Sequence, residues 1–233
     1  VTCSIQNESS RTNALYGLAP FLPESFMSKA WTMTCSIQNE LNRTNALCWL
    51  APYLCESLAS EALTMTRSIQ DERYRTTALT KLAQFLPKSL MSKALIVARS
   101  IQNKYYLATA LRGLGQDLPE GLLSEALEIV SSLQDESDRA NALIKLAPYV
   151  PKSLMSKAWT MTCSIQDEHY RANALRTLGR YVPESSMSET LELTRSIQDE
   201  SDRVDALRAL APCVPESLMD EALAVTCSIQ NES

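Results

Sequence analysis

The stretch SIQDERYRTTALTKLAQFLPKSLMSKALIVAR, residues 68–99, decides the fold, because the chain repeats it in altered wording along its whole length. Its opening Ser-Ile-Gln stands at Ser4, Ser36, Ser68, Ser100, Ser164, Ser196 and Ser228, and Ser132-Leu133-Gln134 fills the remaining place. Each step is 32 residues, with no insertion or deletion. A fixed period of roughly 20–50 residues is the signature of a stacked repeat architecture. The chain therefore reads as a single array over 1–233, with repeats at 4–35, 36–67, 68–99, 100–131, 132–163, 164–195 and 196–227 and partial repeats at 1–3 and 228–233.

Each repeat reads as two short helices. Position 4 is always Asn or Asp (Asn7, Asn39, Asp71, Asn103, Asp135, Asp167, Asp199), a side chain that accepts from the free N–H groups of a helix start. The acid at position 5 suits the positive end of the helix dipole, and Lys104 breaks that row in repeat four. Ala, Leu, Leu and Ala or Gly at positions 11, 12, 15 and 16 then share one helical face. Proline at position 17 ends the first helix, and proline at position 20 is expected in the first turn of the second. That second helix carries Leu, Ala, Leu or Trp, and Met or Val at positions 23, 27, 28 and 30.

A lone pair of such helices cannot bury its apolar stripes, and stacked pairs can. The interface between repeats is accordingly placed at Ala14, Leu15, Leu18, Ala46, Leu47, Leu50, Ala142, Leu143, Leu146, Ala158 and Trp159. The alanines allow close approach, and the larger side chains fill the space around them.

By this point the residues resemble a family. Two-helix units of this size are similar to the tetratricopeptide-like α-solenoids. The run A-L-x-x-L-A-P-x-L-P-x-x-L-x-x-A-L resembles the 32-residue helical repeats of large bacterial, notably cyanobacterial, proteins, sometimes found beside signalling ATPase domains. The likeness covers the whole chain, although the period is 32 rather than 34 and the early Trp of the tetratricopeptide pattern is missing. Leu114-Gly115 and Leu178-Gly179 echo its Leu-Gly pair. The resemblance implies an all-α, right-handed α-solenoid and a binding or scaffolding role.

Two rows of polar residues invite a function. Gln6, Gln38, Gln70, Gln102, Gln134, Gln166 and Gln198 stand at position 3 of every repeat and are expected to form a turn ladder, each amide bonding the neighbouring turn. At position 21 the signs alternate along Glu56, Lys88, Glu120, Lys152 and Glu184, with Glu61, Lys93, Glu125, Lys157 and Glu189 following suit at position 26. This charge ladder is expected to set the register between units. The arginines at position 8 are expected to pair at the surface with the position-5 acid.

The search for chemistry gives no active site. The single histidine, His169, lies at a variable position, and Gly113-Leu114-Gly115 sits inside a helical pattern rather than a phosphate loop. The Ile-Gln pair is followed by acid rather than the basic flank of a calmodulin-binding segment. No cofactor or metal is implied. A net charge of −5 with interspersed signs argues against nucleic acid, and no apolar run approaches the ~18 residues of a membrane span. The seven cysteines show no disulfide or zinc spacing. They favour a reducing cytoplasm, against which stand sequons at Asn7, Asn42 and Asn231 that fit an extracellular filament.

The chain opens and closes on the same nine residues, VTCSIQNES, and its end repeats are as apolar as its middle ones. Two functions are expected on this basis. One is a non-enzymatic segment of a longer uncapped array that scaffolds other proteins. The alternative is a self-assembling subunit that stacks head to tail with copies of itself into a filament or tube.

Overall fold

The computed structural model describes residues 7–182 and 184–227. The expectations for Cys3, Gln6 and Asn231 lie outside those residues. Fourteen α-helices and no strand are found among the described residues. They are α1 (Glu8–Leu18), α2 (Glu24–Cys35), α3 (Glu40–Leu50), α4 (Glu56–Ser68), α5 (Glu72–Ala83), α6 (Met91–Arg99), α7 (Lys104–Gly115), α8 (Glu120–Ser131), α9 (Glu136–Leu146), α10 (Lys152–Cys163), α11 (Glu168–Leu178), α12 (Met187–Arg195), α13 (Glu200–Leu210) and α14 (Met219–Cys227). Odd-numbered helices open a repeat and even-numbered ones close it.

The helix starts follow from local chemistry. Each position-4 residue is extended, with φ between −65 and −76° and ψ between 115 and 131°, and its side chain accepts from an N–H of the first turn. The first helix of a repeat then tightens into a 3₁₀ turn built on the position-17 proline, as in Ala19–Phe21, Ala51–Tyr53 and Ala147–Tyr149. The position-20 proline sits one residue ahead of the place expected for it. Pro23 and Pro151 are the extended residues before α2 and α10, so the ring costs those helices no N–H.

The chain divides into two compact units, Val1–Leu122 and Leu123–Ser233. In the first, α1, α3, α5 and α7 pack in sequence, and α2, α4 and α6 form the second row. In the second unit α9, α11 and α13 stack the same way, with α12 against α13 and α14. Each unit is thus all-helical and solenoid-like, its helices packing in sequence.

Ala46, Leu47 and Leu50 are wholly buried, as are Ala142, Leu146 and Ala158, with Leu143 and Trp159 nearly so. Leu15 is buried, Ala14 is half-buried and Leu18 is exposed. The position-2 residue, Ile37, Ile69, Ile101, Leu133, Ile165 or Ile197, is 3% exposed or less and plugs the corner between successive repeats.

Close approach also depends on glycine. A Cβ on Gly113 in α7 would lie 2.6 Å from Thr80 Cγ2 and 3.0 Å from Thr80 Cβ in α5. Thr80 is fixed there, because its hydroxyl donates to the carbonyls of Thr76 and Thr77. Gly113→Ala is therefore expected to destabilise the first unit by about 1–3 kcal/mol through overpacking. Thermal melts check this, and a neutral or stabilising alanine would contradict the close packing of α5 on α7.

Candidate interaction surface

The position-5 acid does more than answer a helix dipole. The Glu8 carboxylate accepts from the backbone N–H of Gln38 at 2.8 Å and of Asn39 at 2.9 Å, both in the next repeat. Glu40 takes Gln70 and Asp71 at 2.8 and 3.1 Å, and Glu72 takes Gln102 and Asn103 at 2.6 and 2.7 Å. In the second unit Glu136 takes Gln166 at 3.0 Å and Asp167 at 2.7 Å, and Glu168 takes Gln198 at 2.8 Å. A carboxylate has two acceptor oxygens and can hold two N–H groups at once. Each acid thus clamps the turn that begins the following repeat. Lys104 has no acceptor to offer in the same role.

The arginine at position 8 completes the corner. Its guanidinium donates to the position-2 carbonyl of its own repeat: Arg43 to Ile37 at 3.1 Å, Arg139 to Leu133 at 2.7 Å, Arg171 to Ile165 at 3.0 Å and Arg203 to Ile197 at 2.6 Å. It also lies 3.2–4.0 Å from the clamp acid in the pairs Arg11–Glu8, Arg43–Glu40, Arg75–Glu72, Arg139–Glu136 and Arg203–Glu200. The surface pairing expected of these arginines needs correction, since Arg171 and Arg203 are only 9 and 7% exposed. Their charge is wanted inside, where a buried carbonyl needs a donor. Arg75 reaches further, with Nη1 2.9 Å from the carbonyl of Ser100. That serine opens the repeat whose own position-8 residue is Leu107.

The glutamine row is placed differently from its expected geometry. All the described position-3 glutamines are exposed, and the side-chain amides of four of them serve their own turn. Gln38, Gln70, Gln166 and Gln198 donate to the serine carbonyl two residues back, at 3.2–3.4 Å. It is their backbone N–H, held by the preceding repeat's glutamate, that crosses between units.

The charge ladder is wired through serines. Lys93 Nζ meets the carbonyl and hydroxyl of Ser60 at 2.7 and 2.8 Å, and Lys157 meets Ser124 and the carboxylate of Glu128. Opposite the acidic Glu221 the serine turns round, and Ser188 donates to it at 3.0 Å. Glu56 likewise accepts the hydroxyl of Ser89. A hydroxyl both donates and accepts, so one serine row tolerates either sign opposite it. Trp31 supplies a further cross-repeat bond, Nε1 to Glu61 at 2.8 Å. Glu56, Lys88, Glu120, Lys152 and Glu184 themselves are exposed at the hairpin tips.

Those tips carry the feature that sequence reading did not single out. Position 18 holds Phe21, Tyr53, Phe85, Tyr149 and Tyr181, and four of them are large exposed apolar side chains, from Tyr181 at 38% to Phe21 at 82%. Three grooves open along this edge, two of them lined by a tip aromatic and one by Asp117 in the same position. One of about 460 Å³ lies between Leu22, Met27, Pro52 and Tyr53, with Glu24 and Cys55 at its rim. One of about 470 Å³ is framed by Leu86, Met91, Leu118 and Pro119, with Lys88 and Asp117. A third, about 460 Å³, lies in the second unit between Val150, Met155, Tyr181 and Val182, with Lys152, Arg180 and Glu184. All three occupy the same place in the repeat. Apolar floors with a few charged groups are the make-up of recognition pockets.

Cys48 and Cys163 are partly buried and placed for packing. Burial pushes the thiol of Cys48 up to about 11, against the pull of Lys81, and burial together with Glu189 does the same for Cys163, also to about 11. Cys35 is raised by burial and by Glu61. Thiols so shifted are not thiolates at neutral pH. The described cysteines Cys35, Cys48, Cys55, Cys163 and Cys213 are free. His169 Nδ1 lies 3.0 Å from Asp202 of the next repeat. No cluster of three metal-ligating side chains occurs among the described residues, and no helix there is long and apolar enough to cross a membrane.

The clamps carry a pH signature. The N–H groups of Gln38 and then Asn39 hold Glu8 below the ordinary carboxylate range, helped by Arg11 and Arg43 and opposed by partial burial. Asp167 and then Gln166 do the same for Glu136, with Arg139 and Arg171 assisting. A carboxylate whose pKa is lowered on folding stabilises the fold above its unfolded value, about 4.3, and loses that contribution as pH falls through the folded value. Glu136→Gln is therefore expected to lower the melting temperature most above pH ~5 and to converge on the wild type only as pH falls through the lowered folded value, below the ordinary carboxylate range. Thermal melts across that range check it, and a difference independent of pH would contradict the clamp.

Comparison of the chain with models of known protein families, with curated protein sequences and with solved structures finds no match.

Proposed function

We propose that the chain is a non-enzymatic protein-binding scaffold, an α-solenoid of tetratricopeptide-like hairpins that presents its hairpin-tip edge to other proteins. The observation that supports this is the row of exposed tip aromatics beside grooves of matching size and register. Large aromatic side chains carry much of the energy at protein interfaces, and here they project from a framework fixed by backbone clamps. The fold needs the clamps, the position-2 plugs and the alanine–leucine face. It does not need Phe21, Tyr53 or Phe85, which leaves those positions free to define a partner.

A random-peptide library selected against the folded chain tests the reading. Enriched peptides should lose binding to a Tyr53→Ser/Phe85→Ser variant and keep it for Thr64→Ala, a change on the exposed face of α4. Selection that enriches no sequence, or binding indifferent to the tip variant, would overturn it.

A further inference from the structure

The three tip grooves share an apolar floor and differ in the charges at their rims. The groove between repeats one and two carries Glu24 and no cation. The one between repeats three and four carries Lys88 and Asp117, one of each sign. The one between repeats five and six carries two cations, Lys152 and Arg180, against the single acid Glu184. Its floor is Val150, Met155 and Val182, each 9% exposed or less, and Tyr181 stands at its side.

Neither cation is needed by the fold. Lys152 and Arg180 are exposed, and neither side chain takes a hydrogen bond or an ion pair among the described residues. Lys157, on the same helix as Lys152, is by contrast held by Ser124 and Glu128. Arg180 also stands against a local rule. Position 17 is proline in four repeats, glutamine in two and arginine only here. The turn Gly179–Tyr181 forms without the proline, and the thiol of Cys213 donates to the Arg180 carbonyl at 3.5 Å. A residue that departs from its local preference and gains no side-chain partner in the fold marks a place to look for binding.

We propose that the groove between repeats five and six takes an acidic–apolar peptide segment of a partner protein. A Leu or Phe side chain rests on the Val150, Met155 and Val182 floor, and a neighbouring Asp or Glu carboxylate lies against Lys152 and Arg180. The charges argue for this occupant. A chain of net charge −5 brings two unpaired cations to one groove, and covering a cation is favourable only opposite an anion. The planar fork of arginine matches a carboxylate. The apolar floor favours a peptide over a bare polyanion, which has nothing to place on it. This assignment rests on the scaffold reading and names the partner chemistry for one of its grooves.

Fluorescence anisotropy with labelled pools of short synthetic peptides tests it. In one pool Leu or Phe is flanked by Asp and Glu, in a second by Lys and Arg, in a third by Ser and Asn, and a fourth is acidic without Leu or Phe. The wild type should prefer the first pool, with affinity falling as salt rises. Lys152→Glu/Arg180→Glu should weaken that binding by about tenfold or more. Both side chains are exposed, and circular dichroism confirms that the variant keeps its helices. Lys81→Glu/Arg112→Glu, the same charge change on exposed residues away from the grooves, should bind like the wild type. Equal binding of the acidic pool without Leu or Phe, indifference to the reversal at Lys152 and Arg180, or equal loss in the control variant would each overturn the proposal. Preference for the neutral or basic pool, removed by Tyr181→Ser, would overturn it and leave the scaffold reading standing. Binding of no pool would overturn both.

Discussion

Leu47→Ala is expected to destabilise the first unit by about 3 kcal/mol, within the range of about 2–5 kcal/mol found on emptying a buried leucine site. Leu47 has no exposed surface, and it sits in α3, which packs on α1 before it and α5 after it. A cavity there borders two junctions at once. Neither neighbour can close on it easily, because the clamps of Glu8 and Glu40 fix the spacing on both sides. In a stacked array each unit interacts only with its neighbours, so the damage should stay local. Hydrogen exchange read peptide by peptide should show lost protection in α1, α3 and α5 and little change in α11 and α13. Equal loss in both places would contradict a nearest-neighbour fold.

Arg171→Ala is expected to cost about 2–3 kcal/mol, combining an unpaired buried carbonyl with lost packing of the side-chain stem. Arg171 donates to the carbonyls of Ile165 and Gln166 at 3.0 and 3.3 Å, and Ile165 is fully buried. Repeat four shows what leucine does in this position, since Leu107 is 3% exposed. Arg171→Leu should therefore recover the packing but not the hydrogen bonds, and fall between the wild type and the alanine variant. Urea unfolding monitored by circular dichroism checks the order. A leucine variant as stable as the wild type would show that the guanidinium contributes nothing at this corner.

The all-helical array and its helix starts were legible because they rest on short-range rules. An Asn or Asp before an acid caps whatever helix follows, and alternating small and large apolar residues at helical spacing fix one packed face. The clamps were not legible, because their partners stand 30 and 31 residues apart and one partner is a backbone N–H that no side chain advertises. A signal was nonetheless present. Repeat four loses its position-5 acid and its position-8 arginine together, as Lys104 and Leu107, which is the mark of two groups serving one corner. The glutamine row misled for a related reason: its constancy drew attention to the side chain, whereas the neighbouring repeat holds the main chain. The tip aromatics escaped notice because Asp117 and Cys213 interrupt the row and no local helix rule needs it.

The central claim is that stability resides in interchangeable junctions between 32-residue hairpins. Removing residues 68–99 and joining Arg67 to Ser100 tests it most directly, because the cut is one whole period and lets Glu40 clamp Gln102 and Asn103 in place of Gln70 and Asp71. The shortened chain should keep its helical circular dichroism per residue and unfold cooperatively at a lower temperature. Removing only residues 68–83 should abolish both. If the in-period deletion failed to fold, or the half-period deletion folded equally well, the account would be wrong.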